Sequence, residues 1–189
     1  AIEEDLFRGS SQDLGFRQMF GGQVLGQSLS AASQTVGDGR LVHSMHAYFL
    51  RPGDAGLPVV YQVDRVRDGG SFSTRRVTAI QKGKTIFTCS ASFQGFEEGF
   101  THQAQMPEVA GPDNLRSETE LARLVVNQLP EHMRERAISD KPIDIRPVSL
   151  NNPFAPQPAE PVKHLWFRAN GSLPDNPALH LYLLAYASD

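Results

Sequence analysis

Residues 18–36 read QMFGGQVLGQSLSAASQTV. Phe20, Val24, Leu25, Leu29, Ala32 and Val36 recur at helical spacing, which predicts a helix with one apolar face. Gly21, Gly22, Gly26, Ser28, Ser30, Ala31 and Ser33 keep the rest of its surface small. A glycine inside a helix costs roughly 1 kcal/mol relative to alanine. A helix carrying that cost gains close packing, so this one is expected to be wrapped by its neighbours. Gly37 supplies the stop.

Four strand candidates follow the helix. Leu41–Leu50 is apolar on both faces, and both are expected to be covered, against another unit or another chain. Pro58–Val66 is rich in Val and Tyr, and Arg67-Asp68-Gly69-Gly70 then reads as a hairpin turn. Ser71–Gln81 leads to a second turn at Lys82-Gly83. Lys84–Gln94 alternates, with Thr85, Phe87, Cys89, Ala91 and Phe93 against Thr88, Ser90, Ser92 and Gln94. That period of two marks a strand with one face better buried. A small-residue helix followed by an antiparallel meander predicts an α+β fold in which the sheet curls around the helix.

After Gly95 the pattern breaks into a linker rich in Gly and Pro. Ser117-Glu118-Thr119-Glu120 is a capping box that opens a helix to about Leu129. Pro142–Leu150 reads as a strand, Pro153–Pro161 as a Pro-rich connection and Lys163–Asn170 as another strand. A last helix begins near Pro177, capped by Asp175 or Asn176. The expected organisation is a complete first unit at 1–95, a linker with a helix and a strand at 96–162, and the opening of a second unit at 163–189.

The composition closes several routes. The chain has 189 residues, enough for a core without disulfide or metal staples. Net charge is −3, which argues against a generally basic nucleic-acid binder. Cys89, the single cysteine, excludes an internal disulfide framework and a CxxC metal site, and reads as a small buried apolar residue. No apolar run approaches the roughly 18 residues of a membrane span. The acidic start, Ala1-Ile2-Glu3-Glu4-Asp5, is unlike a signal peptide. Both ends are expected to be trimmed.

Signatures of other chemistries fail in their details. There is no G-x-S-x-G elbow. Gly83-Lys84-Thr85 lacks the upstream glycine of a phosphate loop and lies in a hairpin. His43 and His46, three apart on a strand, are poor joint metal ligands. Asn170-Gly171-Ser172 fits a glycosylation sequon without a secretion signal to give it meaning.

Four features remain as candidates, each with a plainer alternative. The N–H groups at Phe20–Val24 could meet a carbonyl oxygen gaining charge, or the glycines could simply let the sheet close on the helix. Residues 65–84 set six cations against Asp68 and could meet the phosphates of coenzyme A, or form an ordinary charged hairpin edge. Asp189 closes an apolar helix, where a carboxylate could activate a water, or lie in solvent. Asp175 and His180, like Asp38 and His43, have a D-x4-H spacing suited to adding water across a double bond. Helix-cap and turn roles compete with that.

The stretches Leu6-Phe7-Arg8-Gly9, Phe20-Gly21-Gly22-Gln23-Val24-Leu25-Gly26-Gln27, Leu41-Val42-His43-Ser44, Tyr48-Phe49-Leu50-Arg51-Pro52-Gly53-Asp54, Arg67-Asp68-Gly69-Gly70-Ser71-Phe72-Ser73, Trp166-Phe167-Arg168-Ala169 and Tyr186-Ala187-Ser188-Asp189 resemble the acyl-CoA thioesterase II family, in order from about Leu6 to Asp189. The resemblance implies a double hot-dog fold, with 1–95 as the N-terminal hot-dog domain and 163–189 as the beginning of the C-terminal one. It implies hydrolysis of fatty acyl-CoA to free fatty acid and CoA, with no cofactor, no metal and no covalent intermediate. Asp189 alone matches the family's catalytic Asp, which activates water with a hydroxyl residue and a Gln lying further downstream in the family. His43 is at most a supporting residue. The resemblance also implies an acyl-CoA substrate, no nucleic acid, and association as a homo-oligomer or with the rest of its own chain. The implied setting is cytoplasmic, or peroxisomal in a eukaryote. A hot-dog enoyl-CoA hydratase using Asp175 and His180, and a non-catalytic acyl-CoA-binding or assembly module, stand as alternatives.

Overall fold

The computed structural model describes residues 1–15, 18–150 and 155–189. In chain order its elements are β1 (Leu6–Gly9), α1 (Gly21–Ser33), β2 (Arg40–Phe49), β3 (Val59–Asp68), β4 (Phe72–Gln81), β5 (Lys84–Gly95), α2 (Glu118–Val125), α3 (Glu131–Ile138), β6 (Ile143–Pro147), β7 (Leu165–Ala169) and α4 (Pro177–Ala187). They group into two compact units: residues 1–99 with 175–189, and residues 100–174.

The first unit is a five-stranded antiparallel sheet, ordered β1-β3-β4-β5-β2, wrapped around α1. Alternation decides which side chains meet the helix. Val77 and Ala79 of β4 are buried, as are Phe87, Cys89, Ala91 and Phe93 of β5. They close on Val24, Leu25, Leu29 and Ala32 of α1, with Val59, Tyr61 and Val63 from β3. Burying each large apolar side chain stabilises the unit by about 1.5–3 kcal/mol. The β4–β5 turn is the one expected at Lys82-Gly83: both residues have positive φ, 50° and 69°, and Gln81 pairs with Lys84. Such a two-residue turn matches the twist of the flanking strands.

One charge is inside this core. Arg75 points at α1 from β4 and is 1% exposed. Its Nε donates to Thr35 Oγ1 at 2.7 Å and its Nη2 to the Thr35 carbonyl at 2.8 Å. Nη2 also reaches Asp68 at 2.7 Å. The hydrogen bond from Arg75, then that from Ser73, hold the Asp68 carboxyl below its usual range. A cation at the end of α1 complements the helix dipole. The arginine thus ties the end of α1 to the β3–β4 hairpin.

Two differences from expectation concern the edges. β1 pairs with β3 at one edge, Phe7 opposite Tyr61, although its four residues are too few for a periodic signal. β2 forms the other edge. Leu41, Tyr48, Phe49 and Leu50 stay exposed, so within this unit its two faces are not both covered. An edge strand has a neighbour on one side only, and apolar sequence cannot say on which side another strand will come.

In the second unit, Ser117 and Glu120 form the expected capping box: the Ser117 N–H donates to Glu120 Oε2 at 2.6 Å, and the Glu120 N–H to Ser117 Oγ at 3.1 Å. The expected helix to Leu129 stops at Val125. A 3-10 turn over Val126–Gln128 follows, and Pro130 opens α3. β6 and β7 pair as a ribbon, with Asp144 between Arg146 and Arg168. Pro153 of the Pro-rich connection lies outside the described residues. Residues 163–189, expected together, divide by packing: β7 pairs with β6, whereas α4 lies on α1.

Candidate functional site

The site grows from the meeting of α1 and α4. A Cβ on Gly22 would overlap the Tyr186 carbonyl oxygen, and one on Gly26 would lie 3.1 Å from the Tyr182 carbonyl oxygen. Advancing four residues on α1 therefore means retreating four on α4, so the helices are antiparallel. The start of α1 faces the end of α4. The Phe20 and Tyr186 rings close this end edge-to-face, 4.9 Å between centroids.

α1 begins without a side-chain cap of its own, since the Phe20 side chain has no oxygen to offer. The other helix provides one. Ser188 ends α4, its N–H and Oγ both on the Ala185 carbonyl. Asp189 then extends over α1, where Oδ2 accepts the Gly22 N–H at 3.1 Å. A carboxylate there satisfies an orphan donor and faces the positive end of the helix dipole. The same bond takes the Gly22 N–H away from any carbonyl oxygen. The Gln23 N–H is likewise taken, by the Phe20 carbonyl at 3.2 Å.

Asp189, itself solvent-exposed, is among the residues lining a cleft of about 520 Å³. Its walls are mostly apolar: Met19, Phe20, Val24, Phe49, Ile86 and Phe87. Phe49 and Phe87 meet edge-to-face at 5.1 Å. The Arg51-Pro52-Gly53 wall is held from behind. The Met19 N–H donates to the Gly53 carbonyl, and Gln81 Nε2 donates to the Asp54 and Leu57 carbonyls. An apolar slot with one carboxylate in its lining can hold a hydrocarbon chain and place a water beside a carbonyl carbon.

A second, smaller cleft of about 210 Å³ opens at the opposite end of the helix pair, between Val36, Asp38 and Arg40 on one side and Ala178, Leu181 and Tyr182 on the other. Here α4 is closed by its own sequence. Pro177 lacks an N–H, and Asn176 Oδ1 accepts from the N–H groups of Ala178 and Leu179 at 3.0 and 3.4 Å. Asn176, not Asp175, is the cap.

The other candidates disperse. No hydrogen bond or ion pair joins Asp175 to His180 or Asp38 to His43 among the described residues, and all four are exposed. His43 Nε2 is 2.9 Å from Ser92 Oγ, and its ring meets Phe72. It is not among the residues lining the Asp189 cleft. Cys89 is buried, and desolvation pushes its thiol up to about 12, so it is inert as a nucleophile. The basic hairpin is partly neutralised: Arg65 pairs with Glu4 and Asp5, Arg75 with Asp68, and Lys82 with Asp54. Among the described residues, no group of three or more His, Cys, Asp or Glu side chains could hold a metal. Sequence reasoning missed the Gly22–Asp189 bond and the part of Gln81, since nothing local marks a contact between residues 167 apart.

Comparison with known proteins places the chain by sequence and by fold. A family model described as the acyl-CoA thioesterase N-terminal domain matches residues 10–94, and one described as acyl-CoA thioesterase matches residues 132–189. The chain is 45% identical over 188 residues to acyl-CoA thioesterase 2 of Haemophilus influenzae, covering 100% of the chain and 66% of that protein. Its structure matches that of the acyl-CoA thioesterase II TesB2 from Mycobacterium marinum, with TM-score 0.74 and 41% identity over 100% of this chain and 64% of the other. A hot-dog protein from Alicyclobacillus acidocaldarius shares the fold at 20% identity, with TM-score 0.70 over 98% of this chain and 65% of that one. The chain thus spans just under two thirds of the length of these proteins.

Proposed function

Because the chain belongs to the acyl-CoA thioesterase family and has its hot-dog fold, we propose that it hydrolyses fatty acyl-CoA to free fatty acid and CoA, with Asp189 activating the attacking water. The observation that carries this is the Asp189 carboxylate, hydrogen-bonded to the start of α1 in the lining of an apolar cleft. The acyl chain lies along Phe20, Phe49 and Phe87. The carboxylate takes a proton from water as the water oxygen bonds to the thioester carbon. The tetrahedral adduct then expels the CoA thiolate, and the proton passes to sulfur. Each bond made is matched by one broken, and no covalent enzyme intermediate is needed.

Residues 1–95 are read as the N-terminal hot-dog domain, 96–162 as the linker and 163–189 as the start of the C-terminal domain. The exposed β2 edge and the apolar sequence of α4 support association, with a second copy or with the rest of the same protein. A place in fatty-acid metabolism, cytoplasmic or peroxisomal, follows from the substrate. No helix among the described residues is long and apolar enough to cross a membrane.

The test is Asp189→Asn in the protein at its full length. Asparagine keeps the shape but takes no proton at neutral pH. Thiol release from a long-chain acyl-CoA should fall about 100- to 10,000-fold in kcat, with little change in KM. Release at the parent rate refutes the mechanism.

A further inference from the structure

We propose that Gly22 and Gly26 are positioning residues: they let the α4 backbone lie directly on α1, and this contact sets where Asp189 stands. The proposal rests on Asp189 being the water-activating base. The contact is tight. A Cβ on Gly22 would overlap the Tyr186 carbonyl oxygen, and one on Gly26 would lie 3.1 Å from the Tyr182 carbonyl oxygen and 3.8 Å from Tyr186 Cβ. Backbone carbonyls cannot swing aside as a side chain can, so α4 itself has to move.

The helix carries that movement to the site. Tyr182 and Asp189 are seven residues apart, about two helical turns, and a helix this short moves as a rod. The Asp189 Oδ2 to Gly22 N–H bond is already 3.1 Å long. Restoring ordinary contact at Gly26 requires a retreat of a few tenths of an ångström. That takes the bond to the limit of useful hydrogen-bond length. Gly21 is not a clean probe, because its Cβ would be 2.8 Å from Asp189 Oδ1 itself. Gly26 touches neither the carboxylate nor the cleft lining. Alanine is also the better helix former, so a loss in Gly26→Ala comes from the contact between helices.

The experiment compares Gly26→Ala with Gly37→Ala in the full-length protein; Gly37 has nothing within 4 Å of an added Cβ. Two quantities are read: kcat and KM for a long-chain acyl-CoA, and hydrogen exchange of the Gly22 amide. Gly26→Ala should lower kcat by about 10- to 100-fold and leave KM within about twofold, in line with the cost of misplacing a catalytic group. Exchange at Gly22 should accelerate toward the rate in Asp189→Ala, while the Ala31 and Ala32 amides keep their protection. Gly37→Ala should match the parent in both. Parent-like kcat and Gly22 exchange in Gly26→Ala would overturn the proposal, as would uniform loss of protection along α1. Failure to fold would overturn it too, since the overlap is small enough for a shift of α4 to absorb. An active Asp189→Asn would instead remove the base assignment and leave the exchange result standing.

Discussion

The two ends of the α1–α4 pair have similar backbones and different chemistry. Just past each helix stands a hydroxyl residue whose N–H and Oγ both reach the carbonyl three residues back: Thr35 onto Ala32 of α1, Ser188 onto Ala185 of α4. The next residue differs. It is Asp189 after α4 and Val36 after α1. The helix starts differ in the complementary way, with α1 capped by the acid from the other helix and α4 capped by Asn176 next to a proline. At one end a carboxylate, an apolar cleft and an open helix start converge. At the other, Arg75 occupies the end of α1, and the carboxylate of the smaller cleft, Asp38, does not cap the start of α4, which Asn176 closes. A near-symmetric scaffold thus presents two unlike clefts, and a few side chains make the difference.

The largest expected effect breaks this comparison at its centre. Asp189→Asn should cost about 100- to 10,000-fold in thioester cleavage, while Asp38→Asn in the opposite cleft leaves the rate within about twofold. A thiol-release assay on both variants checks it; equal losses would mean that the ends are not distinct. Next, Arg75→Met keeps most of the volume but leaves the Thr35 carbonyl without its donor. Urea unfolding should show a loss of about 2–4 kcal/mol, from buried acceptors left unmatched. Asn176→Ala should cost about 1 kcal/mol, the usual worth of a helix cap, and should leave kcat unchanged. The smallest effect is a pH dependence at the Arg75 end. The Asp68 carboxyl titrates below its ordinary 3.8 in the folded protein. Its contribution is therefore fully present above that value and is lost as pH falls through the depressed one. The stability advantage of the parent over Asp68→Asn should accordingly be constant near neutrality and vanish in strong acid.

Much of the fold was legible because it is written in local periods. The spacing of Val24, Leu25 and Leu29 predicted α1, the alternation of Phe87, Cys89, Ala91 and Phe93 predicted β5, and Lys82-Gly83 predicted its turn. Ser117 and Glu120 predicted the start of α2. β1 was too short to show a period, and Pro130 opens a second helix just beyond Leu129, where the expected one ended and no further helix was expected. Asp189 and the N–H groups at Phe20–Val24 each stood out in the sequence, but their pairing did not. The Gly22 N–H and Asp189 are 167 residues apart, and nothing local joins them. The apolar positions of β2 were visible, whereas its place at the sheet edge depends on pairing order, which those positions do not encode.

The bond between Gly22 and Asp189 also has a consequence in time. Its partners are 167 residues apart in the chain. At translation rates of about 5–20 residues per second, the carboxylate leaves the ribosome roughly 10–30 s after the glycine. During that interval the wrapped sheet can form with its cleft in place and no acid to use there. On the proposed mechanism, the nascent protein can hold an acyl group before it can cleave one, and no hydrolysis precedes the docking of α4 on α1.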